Sequence, residues 1–492
     1  MKKLLPAILL LIAFITHVIE LRSQSYSAEE ILTRSIAAMG GKAKLQSIQT
    51  ISYNVKGHEY MLEQSERPEG PYYVSYFSGA VSKNLPQQKC LYTLRYESNQ
   101  RPYRILVQGD KVAAVAGANL LPMYPESDEL LFLAPEQILL LAASTKSTFI
   151  KDTPIHGIKN HLLVSTLQGY PVRILINSHS FILTGIEISR YYSSNFAHAW
   201  GDSKKLYLFS FWHLDKNGIS LPYQTDIFLN GKHFRTTTID SVRFNQPVAA
   251  DSVSINDTSY TKMLALKKRI DPNEPPILNA KEIYPGIQFL PGNWNTLLVK
   301  TNEGIVVLEA PVSSNYSAVV MGVARKLFPT DQVKAVISTS DAWMHIAGLR
   351  HYMAAGKPIY THHLNVAINR QLAAAHYNTY PDSLSKKRPS IIIKPVSEKT
   401  TVGSGTNAMI VYPMHGASSE RMMIVYFPAL RLLYTSDLVQ PSKNKFFMPQ
   451  YLHELIRFVS AASLNVDKIV GMHLPLTDYA TVTEFLRGYM GD

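Results

Sequence analysis

The chain has 492 residues but only one cysteine, Cys90. A single cysteine excludes an intrachain disulfide and every zinc site built from several thiolates, and we interpret Cys90 as a small buried apolar residue. Charged residues are also few, at 17%, whereas hydrophobic residues make up 46%. This balance excludes an intrinsically disordered chain. At this length we expect two or three domains.

The chain also lacks a concentrated basic segment. Its formal net charge is +12, and the excess is spread over both halves. Nucleic-acid binding requires a basic patch, so we expect no nucleic-acid partner; an even excess is compatible with proximity to an anionic membrane surface. A Gly-rich phosphate loop and a Gly-x-Ser-x-Gly motif are absent from the sequence, which argues against those two classes of enzyme.

The first 25 residues have the pattern of a secretory signal peptide. Lys2 and Lys3 precede an apolar stretch from residue 4 to residue 16, and Ser23 and Ser25 frame a small-x-small cleavage step. The apolar stretch is shorter than the ~20 residues that span a bilayer, which favours cleavage over a retained anchor. We therefore expect export to the periplasm or the extracellular space.

Residues 26–270 predict a β-rich domain. Ser27 and Glu30 have the spacing of a helix capping box, and later alternating strands are joined by hairpin signals such as Asn230-Gly231. Residues 126–148 predict a helix or a pair of short helices. We expect an antiparallel curved sheet or half-barrel, whose inner face is either plain core or a surface that binds a lipid or a partner. Period-2 patterning does not separate these alternatives.

The pattern changes after residues 271–280, which predict a linker because X-Pro steps disfavour both helices and central strands. Beyond it, strands alternate with helices: strands at 333–338 and 357–361, and helices at 343–355 and 364–376. Residues 281–492 are therefore expected to form a separate domain.

Several short apolar runs of this second region end on a histidine or an aspartate, and they lead to His345, His415, Asp437 and His473. Strand ends can gather such side chains, and a zinc site needs converging imidazoles and carboxylates. Each residue also has a plainer explanation: an aspartate after a strand often closes a turn, and a histidine at a helix start often bonds a loop carbonyl.

These motifs resemble the metallo-β-lactamase superfamily. Residues 292–309 are similar to its opening hairpin, and residues 336–349 are similar to its main metal-binding loop and following helix. Where the family loop has His-x-His-x-Asp-His, the four ligand positions here are Ser340, Ala342, Met344 and His345. The later family ligands match His415, Asp437 and His473.

The resemblance implies an α+β protein in which an N-terminal β-rich curved sheet or half-barrel precedes a C-terminal αββα sandwich. The expected division is a signal peptide (1–25), a β-rich domain (26–270), a linker (271–280) and a metallo-β-lactamase-like domain (281–492). The helix, Gly-Gly and strand that open the second segment resemble LolA-like periplasmic lipoprotein carriers.

Because three of seven family ligand positions are lost, the resemblance implies at most one zinc ion. His345, Asp437 and His473 would hold it, with His415 as a fourth ligand or a proton-shuttling base. Asp341 could replace a lost ligand with a carboxylate oxygen or cap the helix that begins at residue 343, and we favour the cap. The expected function is a hydrolase-like protein acting on a small-molecule substrate. The alternative is a catalytically inactive scaffold, binding no metal, joined to a β domain that binds a lipid or a partner.

Overall fold

The structure is a computed structural model that describes residues 26–63, 67–97, 99–116, 119–121, 134–167, 169–192, 196–269, 272, 276–387, 389–443 and 445–491. The predicted signal peptide lies outside the described residues. So do parts of the predicted linker (residues 271 and 273–275) and of the predicted helical region (residues 126–133).

The chain divides into two compact units. The first unit comprises the described residues of Met1–Gln49, Asp128–Ile188 and Leu206–Ile227, and the second comprises those of Thr50–Ser127, Ser189–Lys205 and Phe228–Asp492. The domain boundaries expected from the sequence stay a prediction.

Strands dominate the described residues before residue 250. They are β1 (Thr50–Tyr60), β2 (Val74–Asn84), β3 (Lys89–Tyr96), β4 (Asn99–Gln108), β5 (Lys111–Ala116), β6 (Asn119–Leu121), β7 (Thr148–Ile155), β8 (Ile158–Leu167), β9 (Tyr170–Asn177), β10 (Leu183–Tyr191), β11 (Asp202–Leu214), β12 (Ser220–Leu229) and β13 (Lys232–Phe244). In the first unit, β7 to β10 pair antiparallel with their sequence neighbours. In the second unit, β6 to β1 also run antiparallel, and β1 pairs with β13.

Within the described residues, four α-helices accompany these strands: α1 (Ala28–Ala38), α2 (Lys42–Gln46), α3 (Pro135–Ser144) and α4 (Asp257–Arg269). The capping box at the start of α1 is confirmed, because Glu30 N donates to Ser27 Oγ at 3.1 Å and Ser27 N donates to Glu30 Oε2 at 2.8 Å. Asn230 and Gly231 both have positive φ, at 49° and 80°, as the predicted hairpin turn requires.

The rest of the second unit alternates strands and helices. Its strands are β14 (Lys281–Tyr284), β15 (Ile287–Leu290), β16 (Thr296–Thr301), β17 (Gly304–Leu308), β18 (Val333–Ser338), β19 (Ile359–His362), β20 (Ile393–Val396), β21 (Thr400–Val402), β22 (Met409–Pro413), β23 (Met423–Phe427), β24 (Leu432–Tyr434), β25 (Gln440–Ser442), β26 (Lys445–Phe447), β27 (Lys468–Val470) and β28 (Thr477–Asp478). Its helices are α5 (Ser314–Leu327), α6 (Trp343–Ile346), α7 (Leu349–Ala354), α8 (Val366–Ala374), α9 (Ser383–Lys387), α10 (Pro449–Ala461) and α11 (Tyr479–Met490).

Two sheets in this region share one core. The first sheet has the order β14 to β20, and the second has the order β21-β22-β23-β24-β27-β28. Buried side chains of both sheets, such as Leu297, Ile337, Met423 and Val425, form a single apolar cluster. The opposite face of the second sheet packs with α10 and α11 in another cluster. The chain is thus a mixed α+β protein that is rich in β-structure and has large antiparallel sheets.

The strand predicted at 333–338 coincides with β18, but the helix predicted at 343–355 is interrupted between α6 and α7. At the interruption, Gly348 N donates to Ala310 O and Met344 O accepts from Val312 N, both at 2.8 Å, so these bonds replace the helical bond between Gly348 and Met344. A Cβ at Gly348 would lie 2.8 Å from the same carbonyl oxygen of Ala310. The backbone approaches too closely for any larger residue. None of the helices in the described part of the chain is long and apolar enough to cross a bilayer.

Candidate metal centre

Strand topology brings the first two candidate ligands together. Asp437 and His473 each lie three residues beyond a strand, β24 and β27 respectively, and these strands are parallel neighbours. Parallel strands end at the same edge of a sheet, so the two loops meet there. Backbone hydrogen bonds fix the loops to each other, including Met472 N to Ser436 O at 2.9 Å.

His345 comes from the other sheet. It is the third residue of α6, which follows β18, and Met344 O accepts a hydrogen bond from Val312 N at 2.8 Å. This bond ties α6 to the segment after β17. The imidazole of His345 is 3% exposed, so it faces the interior of the site.

The three side chains form a compact cluster. His473 Nε2 lies 3.1 Å from Asp437 Oδ1, and His345 Nε2 lies 3.8 Å from Asp437 Oδ2. One nitrogen or oxygen from each residue can be chosen so that all three lie within 4.8 Å of one another. The rings of His345 and His473 have centroids 5.9 Å apart.

Burial and charge set the protonation of this cluster. Burial lowers the pKa of His345, and the opposing charge of Asp437 only partly offsets it. Burial alone would raise the pKa of Asp437, but His345 and His473 hold it below its ordinary range. For His473, burial acts downward, yet the hydrogen bond and charge of Asp437 raise its pKa above the ordinary value. Asp437 is therefore ionised and His345 neutral near pH 7, which are the forms that bind metals.

The donor set fits one divalent ion. A tetrahedral zinc site with ligands at 2.0–2.1 Å places neighbouring donors about 3.4 Å apart, and the distances of 3.1 and 3.8 Å bracket this value. Two imidazoles and one carboxylate form the three-ligand set of a catalytic zinc, which keeps one position open. His345 Nδ1 is buried and has no hydrogen-bond partner among the described residues. A histidine that binds a metal through one ring nitrogen ordinarily donates a hydrogen bond from the other, so Nδ1 of His345 is the one part of the set that lacks its usual partner among these residues.

His415 is not brought to these three residues. It is exposed because its loop is held against α10: Ser418 N and Ser419 Oγ donate to Glu454 at 3.0 and 2.5 Å. The carboxylate of Glu454 also packs directly on Gly416. The geometry gives no support to a role for His415 as a ligand or a proton shuttle at this centre.

Asp341 does not cap the following helix. Ala342 is the N-cap of α6, and no side chain caps the helix, so the expected role of Asp341 is wrong. Asp341 Oδ2 is buried without a hydrogen-bond partner among the described residues. Burial raises the pKa of Asp341 to about 7, against the lowering effect of Arg421. Its carboxyl group faces a cavity instead.

That cavity lies over the cluster and has a volume of about 560 Å³. Met61, Glu63 and Tyr73 line it from the hairpin between β1 and β2, which was not expected to contribute. Two ion pairs attach this hairpin to the loop before β23. Arg67 donates to Glu420 at 2.5 and 3.0 Å, and Arg421 donates to Glu69 at 2.8 Å.

A buried acid, Glu309, supports the site from below. It follows β17 with φ of 74° and is fully buried. The N–H and hydroxyl of Thr339 both donate to its carboxyl group, and Thr339 Oγ1 lies 2.7 Å from Ser436 Oγ. Burial raises the pKa of Glu309 to about 8, against these hydrogen bonds. The network joins the loops that lead to His345 and Asp437. In the sequence, the only sign of this buried acid is that Glu309 directly follows four apolar residues, 305–308.

No protein-family model matches the chain, and no curated protein matches it either. Solved structures do: a metallo-beta-lactamase from Pontibacter korlensis is 16% identical, with 44% of this chain and 100% of that chain covered and a TM-score of 0.34. DIM-1 metallo-beta-lactamase is 13% identical, with 44% and 100% covered and a TM-score of 0.34. A metallo-beta-lactamase from Erythrobacter litoralis is 12% identical, with 42% and 94% covered and a TM-score of 0.32.

This similarity is partial and distant, so the chemistry of the site is inferred from its geometry alone. These matches give no support to the resemblance to LolA-like carriers.

Proposed function

We propose that the protein is an exported, hydrolase-like protein with a metallo-β-lactamase fold and a single-metal site. The observation that carries this proposal is the convergence of His345, Asp437 and His473 at the base of a cavity of about 560 Å³. In fold, the proposal comprises a β-rich curved sheet or half-barrel followed by an αββα sandwich. The shared core of two sheets and the helices α10 and α11 on one outer face support the sandwich.

His345, Asp437 and His473 would hold one zinc ion. When bound, zinc supplies a Lewis acid and lowers the pKa of water for attack on a carbonyl or phosphoryl centre. The chain's own residues arrange the reaction. Asp437 bridges the two imidazoles, and the hydrogen bond from His473 to the backbone of Asn293 orients its ring. Met61, Glu63 and Tyr73, from the hairpin between β1 and β2, form part of the cavity wall beside the centre.

Asp341 can donate or accept a proton during the reaction. Its Oδ2 is buried beside the cavity, and the raised pKa of about 7 lets the carboxyl group exist in both forms near neutral pH. Such a group meets the requirement for a general acid or base, whose pKa is best near the working pH.

Metal analysis of purified full-length chain tests the proposal. We expect close to one zinc per chain after loading and removal of free metal. His473→Ala should lose the ion, whereas His415→Ala, which removes an exposed imidazole outside the cluster, should retain it. Equal zinc retention by all three proteins, or none in the unmodified chain, would contradict a metal site at this position.

A catalytically inactive scaffold is the second candidate, and one observation favours it. Asp437 is already hydrogen-bonded by His473 at 3.1 Å and by Gln440 at 2.8 Å, so its carboxylate is satisfied without an ion. A cavity of about 550 Å³ between α1 and α3 in the first unit, lined in part by Leu32 and Ile36, would then hold a lipid. Native mass spectrometry of the purified chain should show a bound apolar molecule in that case, and no hydrolysis.

Export rests on the residues before position 26. The proposal is therefore tested separately, by N-terminal sequencing of protein recovered from a bacterial periplasm. A mature chain that begins near residue 26 supports export, and retention of Met1 contradicts cleavage.

A further inference from the structure

The hairpin that joins β11 and β12 in the first unit exposes two large apolar side chains. Phe211 is 65% exposed and Leu214 is 72% exposed. Both precede a tight turn, which Gly218 N closes by donating to Asp215 O at 2.9 Å. We call residues 211–218 the hairpin tip. Because the turn is held by its own hydrogen bonds, the tip presents the two apolar side chains to the solvent.

The ring of Phe211 belongs to a continuous aromatic surface. It packs edge-on against His213, with ring centroids 4.7 Å apart, and His213 stacks on Tyr223 of β12 at 4.1 Å. Single exposed apolar residues are common on soluble proteins, whereas a supported group of rings marks an interaction site. Rings that carry a polar end, such as that of Tyr223, are typical of the boundary between lipid acyl chains and water.

The backbone of Phe211 is also unfavourable for a residue of its type. Its φ is 54°, in the left-handed region that bulky side chains seldom adopt and that asparagine adopts more readily. An exposed ring gains little from folding in water, so neither the backbone nor the side chain of Phe211 stabilises the isolated chain. Such a residue indicates a function outside folding.

Lysine side chains accompany these apolar groups. Lys216 lies in the turn, and Nζ of Lys44 in α2 lies against Gly218. Ser220 N donates to Met39 O at 3.1 Å, which fixes the segment before α2 to the hairpin. Neither ammonium group is paired with a carboxylate in the part of the chain that the structure describes.

The charge around the hairpin tip is positive. Asp215 is the one acid between residues 211 and 223, and its carboxylate already accepts hydrogen bonds from Asn217 N at 3.0 Å and Ile219 N at 2.8 Å. The turn and α2 together carry three lysines: Lys42, Lys44 and Lys216. Exposed apolar side chains beside lysines are the combination that binds anionic lipids, because the apolar groups enter the boundary of the acyl chains while the ammonium groups meet the phosphates.

We infer that the hairpin tip docks the protein on an anionic phospholipid membrane, with Phe211 and Leu214 at the acyl boundary and Lys44 and Lys216 on the headgroup phosphates. None of these residues lines the cavity over the candidate metal centre, so the inference does not rest on the proposed function. The two apolar side chains expose on the order of 250 Å². A stable protein interface buries roughly 800 Å² per partner, so the tip is too small to hold a second copy of the chain.

Hydrogen exchange of the full-length chain with phospholipid vesicles tests the inference. The measurement is local, at the amides of residues 211–218, because the apolar residues 4–16 also bind lipid and would obscure a co-sedimentation assay. Vesicles of phosphatidylglycerol mixed with phosphatidylcholine should slow exchange at the tip at least about fivefold, whereas phosphatidylcholine alone should slow it less than about twofold. Exchange at the tip that the anionic vesicles leave unchanged overturns the inference.

Phe211→Asn separates membrane binding from folding. Asparagine tolerates the left-handed backbone, so the variant should resist denaturant at least as well as the unmodified chain. The vesicle concentration that protects the tip should nevertheless rise about tenfold, and Leu214→Ser should raise it in the same direction. Ile277→Asn, which removes a side chain of the second unit that is 91% exposed, is the matched control and should leave protection unchanged. Full protection in both tip variants refutes the role of the tip.

A pair of charge reversals tests the role of the lysines. Lys44→Glu combined with Lys216→Glu should raise the concentration of anionic vesicles that protects the tip at least about tenfold. Lys281→Glu combined with Lys334→Glu changes the net charge equally at exposed positions of the second unit, and should raise it less than about threefold. Equal losses in both pairs would show attraction by net charge alone and overturn docking at the tip.

Sedimentation velocity without vesicles examines the competing occupant, a second copy of the chain. We expect no association that depends on the hairpin tip. A dimer that forms with increasing protein concentration and that Phe211→Asn abolishes would make the tip an interface between copies, and would overturn the membrane as its partner.

Discussion

Glu309 gives the protein a pH-dependent stability that one substitution should remove. Its carboxyl group is fully buried, and burial raises its pKa from 4.5 to about 8. Between these values the folded chain keeps a proton that the unfolded chain releases. The stability is therefore fully present below pH 4.5 and is lost as pH rises towards 8. The loss is about 1.4 kcal/mol per pH unit.

Glu309→Gln keeps the shape and the hydrogen-bonding capacity of the protonated acid but carries no titrating proton. Relative to the unmodified chain, it should become more stable by about 4 kcal/mol as pH rises from 5 to 8. Denaturant unfolding of both proteins at several pH values, with a chelator present, measures this difference. Glu303→Gln, at an exposed acid before β17, should show no such rise with pH. A stability difference for Glu309→Gln that stays constant from pH 5 to 8 would refute the reasoning.

Three further predictions concern other contacts. The guanidinium of Arg350 is 1% exposed and donates to Asp382 at 2.7 and 2.9 Å. Asp382→Ala leaves this buried charge unpaired and should destabilise the second unit by about 3–5 kcal/mol in denaturant unfolding. Ser27→Ala should cost about 1 kcal/mol by removing the capping box of α1, seen as faster amide exchange in that helix. Zinc affinity, measured by competition with a chelating dye, should fall about tenfold per pH unit below the raised pKa of His473, because zinc must displace the proton of that imidazole. A zinc affinity that does not change with pH would count against His473 as a ligand.

Local patterns predicted the parts of the fold that depend on local physics. The capping box at Ser27 and the strand at 333–338 are set by neighbouring residues, and both appear in the structure. The predicted helix at 343–355 was too long because, at its interruption, Gly348 and Met344 form hydrogen bonds to the distant Ala310 and Val312. Helical periodicity carries no information about such a contact.

The candidate site also has parts that the sequence predicts and parts that it does not. Asp437 and His473 follow paired parallel strands, which end at the same edge of a sheet, so their proximity could be predicted from the sequence. His345 follows a strand of the other sheet, and the packing of the two sheets brings it to them. His415 also follows a strand, but contacts of its loop with Glu454 turn it outward.

The residues that line the cavity could not be predicted from the sequence. The ion pair that holds its hairpin in place, Arg67 with Glu420, joins residues 353 positions apart, and no local pattern reports a contact over that distance.

Anomalous diffraction at the zinc absorption edge, from crystals of zinc-loaded full-length chain, tests the metal centre most directly. We predict one peak, bound by the two imidazoles of His345 and His473 and by the carboxylate of Asp437 at about 2.0–2.2 Å. A zinc peak elsewhere in the chain, with none between His345 and His473, would contradict the account.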